Sequence, residues 1–469
     1  MIKPAALLLL LPLLAEARIV AKHGRTATAP ASASGGGGPM PCSAPVQKAR
    51  VHFPESIVGR AKGDQGWSGY VNVTEHDHLF YWFFEAQANA STAPLVFWSN
   101  GGPGCSAMEG ATTEHGPLSL TYIKLSHDLA TGQLSDNPWA WSKNANVVYV
   151  DQPRYVGYSF GAGGPKVTSS VDAGLDMVTF ITGFLERFPE LKGRPVYLAA
   201  ESYGGHYVPA WAGAVMDHNE KAAAAAAQPG LEVIPLIPLA GAIIGNGCVN
   251  NTEQNARTYE AFLKSADLIP ASASPADEDA ANALMAAHIG YSPNYYDWRI
   301  RDIACEACYS YNYTKWSLFF TQQEVIEALN VCGDAGTAAP GNAFAGAAGG
   351  CIDLPSFDEG DTFDYSGAMA RMLEKDLTVT FFYGMNDRAC DYVGGYNMAK
   401  TIEWSGREAF GAAAQQPLEL GGTSGGMLQQ YKGLSFLQIA AAGHMVPQDQ
   451  PAAAAFALTT AINNKQSQS

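Results

Sequence analysis

Apolar residues fall along this chain in short unbroken runs. Leu95–Trp98, Asn146–Val150, Pro195–Ala199, Leu377–Tyr383 and Leu434–Ala440 are such runs, and Val233–Gly245 contains another. Short apolar runs bounded by Gly or Pro suit strands buried on both faces. Regular structure begins near Trp67, where Val71–Val73 and His78–Ala86 read as a strand pair, the second rich in aromatics. Helical patterns such as Val171–Phe188 lie between the runs. Strand alternating with helix predicts an α/β protein with a mostly parallel central sheet flanked by helices.

Residues 247–335 break this rhythm. Glu253–Ser265, Asp277–His288 and Gln322–Leu329 read as helices, and the segment is expected to be a mainly helical insertion, a cap over one end of the sheet. The predicted layout is therefore a core over 46–246, the insertion over 247–335, a second core part over 336–462 and a polar tail over 463–469. Residues 335–350 are Ala/Gly-rich and read as a loop, and the run Ala222–Ala227 as a helix end. No internal repeat is visible.

Composition changes the picture in two ways. At 47% hydrophobic and 15% charged, the 469 residues can bury a large core, which excludes wholesale disorder. With 28 basic against 44 acidic residues, the net charge is −16, which argues against nucleic acid or an anionic membrane as partner. The start of the chain then bears on compartment. Met1-Ile2-Lys3 precedes an apolar run, Ala5–Leu14, and Ala15-Glu-Ala17 has the small-x-small form of a cleavage site. That run is roughly ten residues, against about 20 needed to span a bilayer. Residues 1–17 are read as a secretory signal and 18–45 as a flexible leader or propeptide, with no later membrane span. Secretion, or delivery to a vacuole or lysosome, agrees with sequons at Asn72, Asn89, Asn250 and Asn312 and with eight cysteines. Eight cysteines allow about 105 pairings, so sequence leaves the disulfides open. Cys305-x-x-Cys308 has no second CxxC or paired His beside it and reads as a structural disulfide element, not a metal site.

The candidate chemistry sits at the ends of the apolar runs. Val196-Tyr-Leu-Ala-Ala-Glu-Ser202-Tyr-Gly-Gly-His206 is a strand running into a small-x-Ser-x-Gly turn, the nucleophile elbow of the α/β-hydrolases. A serine needs a base and the base an orienting acid. In that fold the order is Ser, acid, His. Two later runs end in Gly384-Met-Asn-Asp387 and Gly443-His444-Met-Val-Pro447, both just past a buried strand where α/β sheets place their sites. A third element, Phe97-Trp-Ser-Asn-Gly-Gly-Pro-Gly-Cys-Ser106, is a Gly-rich turn whose backbone N–H groups can hold an oxyanion or a carboxylate. No HExxH is present, and no metal or cofactor is implied.

Taken with Glu114-His-Gly-Pro117, Asp151-Gln-Pro153, Val156-Gly-Tyr-Ser159, Ile244-Gly-Asn-Gly247, Asn386-Asp-Arg-Ala-Cys390 and Gly443-His-Met-Val-Pro-Gln-Asp-Gln-Pro451, these blocks resemble the serine carboxypeptidase family over residues 67 to about 460. The resemblance implies an enzyme that removes single residues from peptides with a free C-terminus, through an acyl-enzyme. Ser202 would be the nucleophile, His444 the base and Asp387 its orienting acid. Gly102 and Tyr203 would supply the oxyanion hole. Asn100, Gly101, Glu114 and Glu201 would hold the substrate carboxylate. Two neighbouring carboxyls share a proton, and a protonated carboxyl can donate to a carboxylate, so activity is expected to be best at acidic pH. The resemblance also implies a Cys105–Cys351 disulfide, a free thiol at Cys390 near the site, and Met445 lining the pocket for the leaving residue. Glu109 reads as part of a solvated face or as an acid favouring a basic leaving residue, and His206 as packing. Ala200, Met385 and Asp391 depart from the family's usual residues. An acyltransferase on the same scaffold and a stabilising partner protein are the alternative functions; the intact Asn100, Glu114 and Glu201 favour peptide substrates.

Overall fold

Six of the apolar runs form the parallel centre of one sheet. The structure, a computed structural model, describes residues 45–466 apart from 60, 121–132, 162–166, 229, 232, 302–313, 333–343, 345–350, 353, 355–356, 358–360, 362 and 421–422. The signal and leader reading, Cys42, Cys305, Cys308 and Asn312 thus lie outside the described residues. The main strands are β1 (Trp67–Asn72), β2 (Asp77–Phe84), β3 (Leu95–Ser99), β4 (Asn146–Val150), β5 (Val196–Glu201), β6 (Leu239–Gly245), β7 (Thr378–Gly384), β8 (Gln416–Leu420), β9 (Thr423–Tyr431) and β10 (Leu434–Ile439). They run in the order β1-β2-β4-β3-β5-β6-β7-β10-β9-β8. From β4 to β10 every neighbour is parallel, and the strands at both margins are antiparallel.

Both faces of the sheet are covered, as the apolar runs require. On β2, Leu79, Tyr81 and Phe83 join the core on one face while Phe80, Trp82 and Phe84 join the core on the other. The first face carries α1 (Ser170–Arg187), which presents Ala173, Met177, Phe180, Ile181 and Phe184 at helical spacing to that core. Ser169 starts it by accepting from the Asp172 backbone N–H. Packed along α1 is α2 (Gly204–Ala226), whose end is the alanine run.

Between β6 and β7 the chain carries α3 (Ala256–Ser265) and α4 (Glu278–Ile289), each opened by an Asx cap, Asn255 and Asp277. They close on a small core of their own around Phe262, Leu263, Ile269 and Met285. One guanidinium ties this unit to the sheet: Arg388, beside the end of β7, donates to Tyr259 Oη, to Asn282 Oδ1 (2.6 Å) and to the Pro293 carbonyl (3.0 Å). The last described helix, α5 (Pro451–Gln466), buries Ala453, Ala457, Leu458 and Ala461 against the opposite face.

Candidate active site

Five residues of the site follow the C-terminal ends of parallel strands. β3 leads to Asn100, β5 to Ser202, β6 to Asn246, β7 to Asp387 and β10 to His444. Ser202 lies in the sharp turn from β5 into α2 with φ 59, and its N–H donates to the Gly245 carbonyl (3.0 Å). Small neighbours make the turn fit. A Cβ on Gly204 would lie 2.3 Å from the Ala200 Cβ, so alanine is accommodated at 200 because 204 is glycine. On Gly101 a Cβ would lie 2.6 Å from the Tyr203 backbone N and from the Glu201 carbonyl oxygen. The backbone of the Gly-rich turn therefore rests directly on the elbow.

His444 Nδ1 lies 2.7 Å from Asp387 Oδ2, and both side chains are buried. The carboxylate of Asp387 also accepts from Asn246 Nδ2 (2.8 Å), the Ala389 N–H (2.9 Å) and the Cys390 N–H (3.2 Å). A carboxylate so satisfied is fixed in orientation. Asn246 in turn accepts from the Gly384 N–H through Oδ1 (2.9 Å). Its position at a strand end is the one sequence signal for this role, which the motif reading missed. Tyr296 comes from the segment after α4. Its carbonyl receives the His444 backbone N–H (2.8 Å) and its ring lies 5.0 Å from the imidazole.

Beside the elbow, Asn100 organises two carboxyls. Its Oδ1 accepts from Trp98 Nε1 (2.9 Å) and the Gly110 N–H (3.0 Å), which turns Nδ2 toward Glu114 Oε1 (2.9 Å) and Glu201 Oε1 (3.0 Å). Glu114 closes a π-helical turn, Gly110–Glu114. Burial lifts its carboxyl to about 7. Burial lifts Glu201 well above the usual range, and the charges of Glu114 and Glu109 add to this. Glu109 is only 4% exposed, which corrects the solvated-face reading.

Two cysteine pairs frame the site. Cys105 pairs with Cys351. Cys390 is not a free thiol: it pairs with Cys248, because the turns after β6 and β7 lie side by side with their Cα atoms 5.6 Å apart. Cys332 is disulfide-bonded as well, and no described cysteine is free. The remaining expected residues fall as follows. Met445 is buried beside His444. His206 is buried on α2 with Nδ1 3.4 Å from Asp361, apart from the Asp387–His444 pair. Asp391 caps the next helix through the Val393 and Gly394 N–H groups (2.9 and 2.8 Å). Asn72 and Asn89 are exposed, whereas Asn250 is 6% exposed with its Oδ1 accepting from the Thr252 N–H, so it does not present a surface for a glycan. Sequence reading missed Asp361 too. It accepts from Tyr203 Oη (2.7 Å) and Ser170 Oγ (2.5 Å) and so braces the residue after the elbow serine. No helix among the described residues is long and apolar enough to cross a membrane, and no described cluster of His, Cys, Asp and Glu has a metal-holding arrangement.

The family model for serine carboxypeptidases matches residues 60–283 and 291–464. Carboxypeptidase Y homolog A of Phaeosphaeria nodorum is 29% identical over 442 residues, 85% of this chain and 73% of the relative. Its counterpart in Uncinocarpus reesii is 30% identical over 445 residues, covering 85% and 74%. Carboxypeptidase Y of Candida albicans is 29% identical over 412 residues, covering 82% and 71%. Among solved structures, KEX1, a prohormone-processing carboxypeptidase of Saccharomyces cerevisiae, superposes with a TM-score of 0.68 at 19% identity, over 88% of this chain and 95% of its own, a likeness of fold. With the predicted α/β-hydrolase architecture in place and the family model covering most of the chain, this protein belongs to the serine carboxypeptidase family and is a serine-type peptide hydrolase.

Proposed function

We propose that Ser202 attacks the last peptide bond of a substrate with a free C-terminus, with His444 as the base and Asp387 as its orienting acid. The observation that carries this reading is the 2.7 Å Asp387–His444 contact at adjacent strand ends, in the same row of strand ends as an elbow serine with φ 59. His444 takes the Ser202 proton as the Oγ–carbonyl bond forms, and the carbonyl oxygen becomes an oxyanion facing the Gly102 and Tyr203 N–H groups. His444 then gives that proton to the leaving amine. Water repeats the sequence on the acyl-enzyme.

Exopeptidase action needs a reader of the terminal carboxylate. The Gly101 N–H, Glu114 and Glu201 take that role here, with Asn100 holding the two carboxyls in place. Two carboxyls raised by burial keep at least one proton between them, and that proton is donated to the substrate carboxylate. Ionised, they would repel it. Met445 and Glu109 line the leaving-residue side, where a third buried acid favours a basic C-terminal residue; the disulfide at Cys390 borders the other side. Glycans belong on Asn72 and Asn89, and the signal reading places the enzyme in the secretory pathway, secreted or vacuolar.

Mass spectrometry of peptide ladders tests this directly. Wild type is expected to trim a free peptide residue by residue and to spare its C-terminal amide. Ser202→Ala should leave both intact, and Glu109→Gln should lower the rate ratio of Arg- to Leu-terminated peptides about tenfold. Trimming by Ser202→Ala, or equal trimming of acid and amide, would overturn the assignment.

A further inference from the structure

We propose that the Cys248–Cys390 disulfide is a positioning element for catalysis, one that makes turnover depend on the redox state of this single bond. The inference rests on Ser202, Asp387 and His444 acting as above. Cys248 and Cys390 each hold one half of that machinery through the backbone. The Cys248 N–H donates to the Ser202 carbonyl (3.1 Å), so this turn supports the elbow from beneath. It is packed there without slack: a Cβ on Gly205, in the first turn of α2, would lie 2.3 Å from the Cys248 carbonyl oxygen. The Cys390 N–H donates to Asp387 Oδ2 (3.2 Å), the same oxygen that faces His444 Nδ1. Asn246, two residues before Cys248, donates to that oxygen as well. The turn after β6 therefore touches the nucleophile's backbone and the orienting carboxylate. The disulfide ties it covalently to the turn after β7.

Cys248 and Cys390 are 142 residues apart in the chain, so the S–S bond is the short covalent link between these turns, added to the hydrogen bonds that Asn246 makes to Asp387 and Gly384. Without it, Ser202 and the Asp387–His444 pair remain bonded to their own turns, and those turns are held together only by hydrogen bonds, which yield to small relative shifts. A displacement on the order of 1 Å between nucleophile and base is enough to cost about a hundredfold in rate. Substrate recognition through Asn100, Glu114 and Glu201 stands on β3, β5 and the π-turn and does not depend on the bond. The expected signature is a loss in kcat with KM nearly unchanged. Cys248 is partly exposed, so a phosphine can reach the bond. The phosphine supplies two electrons and leaves as its oxide, taking oxygen from water, and the two protons of that water end on the two sulfurs.

The test compares wild type, Cys248→Ala/Cys390→Ala, and wild type treated with tris(2-carboxyethyl)phosphine, with opened pairs mapped by alkylation and mass spectrometry. Folded fraction is read by near-UV circular dichroism and rates are expressed per folded molecule. Opening this pair should lower kcat about tenfold to a hundredfold, move KM by less than about threefold, and slow phosphonylation of Ser202 by the same factor as kcat. Reoxidation of the reduced enzyme should restore all three. If kcat per folded molecule is unchanged with the pair shown open, or if lost activity equals lost folded protein, the bond is structural only and the proposal fails. Should the variant not fold, the phosphine arm on folded wild type decides. Failure of the underlying assignment is seen separately, as peptide trimming by Ser202→Ala or absence of phosphonylation in the oxidised enzyme.

Discussion

Asn100 spends its whole hydrogen-bonding capacity on the site. Both lone-pair directions of Oδ1 and both protons of Nδ2 are engaged, so the amide cannot turn over. The consequence is electrostatic, because two buried carboxyls are held to one amide and their ionisation is linked. Burial raises both, Glu114 to about 7, so the pair is protonated below that pH and loses its proton as pH rises through it. KM for a blocked dipeptide is therefore expected to be flat from pH 5 to about 6.5 and to climb above pH 7, by up to about tenfold per unit. Glu114→Gln/Glu201→Gln carries no titratable carboxyl there, and its KM should be level to pH 8. A double variant that keeps the alkaline rise would place the titration elsewhere.

At the scale of elements, what was legible depended on whether a strand is buried on both faces. The parallel strands are, and their apolar runs located β3, β4, β5, β7 and β10 to within a few residues. The margin hairpin β8–β9 escaped because it is half exposed: Gln416, Pro417 and Glu419 face solvent and only Leu418 is buried on β8. The strand-end positions of Ser202, Asp387 and His444 were readable because each follows a buried apolar run. Arg388 was not, since its partners come from the insertion and meet it only in three dimensions. Arg388 is 6% exposed and its guanidinium has no carboxylate within salt-bridge reach among the described residues, only Tyr259, Asn282 and the Pro293 and Asn294 carbonyls. Arg388→Ala should release the insertion, lowering stability by about 3 kcal/mol in denaturant unfolding. Limited proteolysis should then cut first within residues 256–289. Unchanged stability and an intact insertion would remove Arg388 from this role.

Whole-molecule stability should follow the same buried acids. Burial raises Asp151 to about 6 and Asp391 to about 7, alongside Glu114. For each, the folded state holds its proton more tightly than the unfolded chain does. The stability linked to these groups is complete below the ordinary carboxyl range and is lost as pH rises through it toward 7. Asp361 opposes this: hydrogen bonds from His206, Ser170, Tyr365 and Tyr203 outweigh its burial and lower its pKa, so its contribution is lost only at strongly acidic pH. Scanning calorimetry is expected to give the highest Tm near pH 5 and a lower one at pH 7.5, with the −16 charge adding repulsion at the higher pH. A Tm rising steadily to pH 8 would contradict it. None of these four carboxyls advertises its burial in sequence. Asp361 and the Cys390 pairing became readable only once β6, β7 and the elbow stood side by side.

The strand order has one more outcome, in time rather than space. β10 lies between β7 and β9, yet it is the last strand among the described residues, and His444 follows it. Ribosomal synthesis therefore delivers Ser202 and Asp387 before His444, the residue proposed as their base. A growing chain can form the turns after β3 and β5 before β10 is made to complete the sheet between β7 and β9. On the proposed triad, activity is therefore expected only in chains synthesised past residue 444.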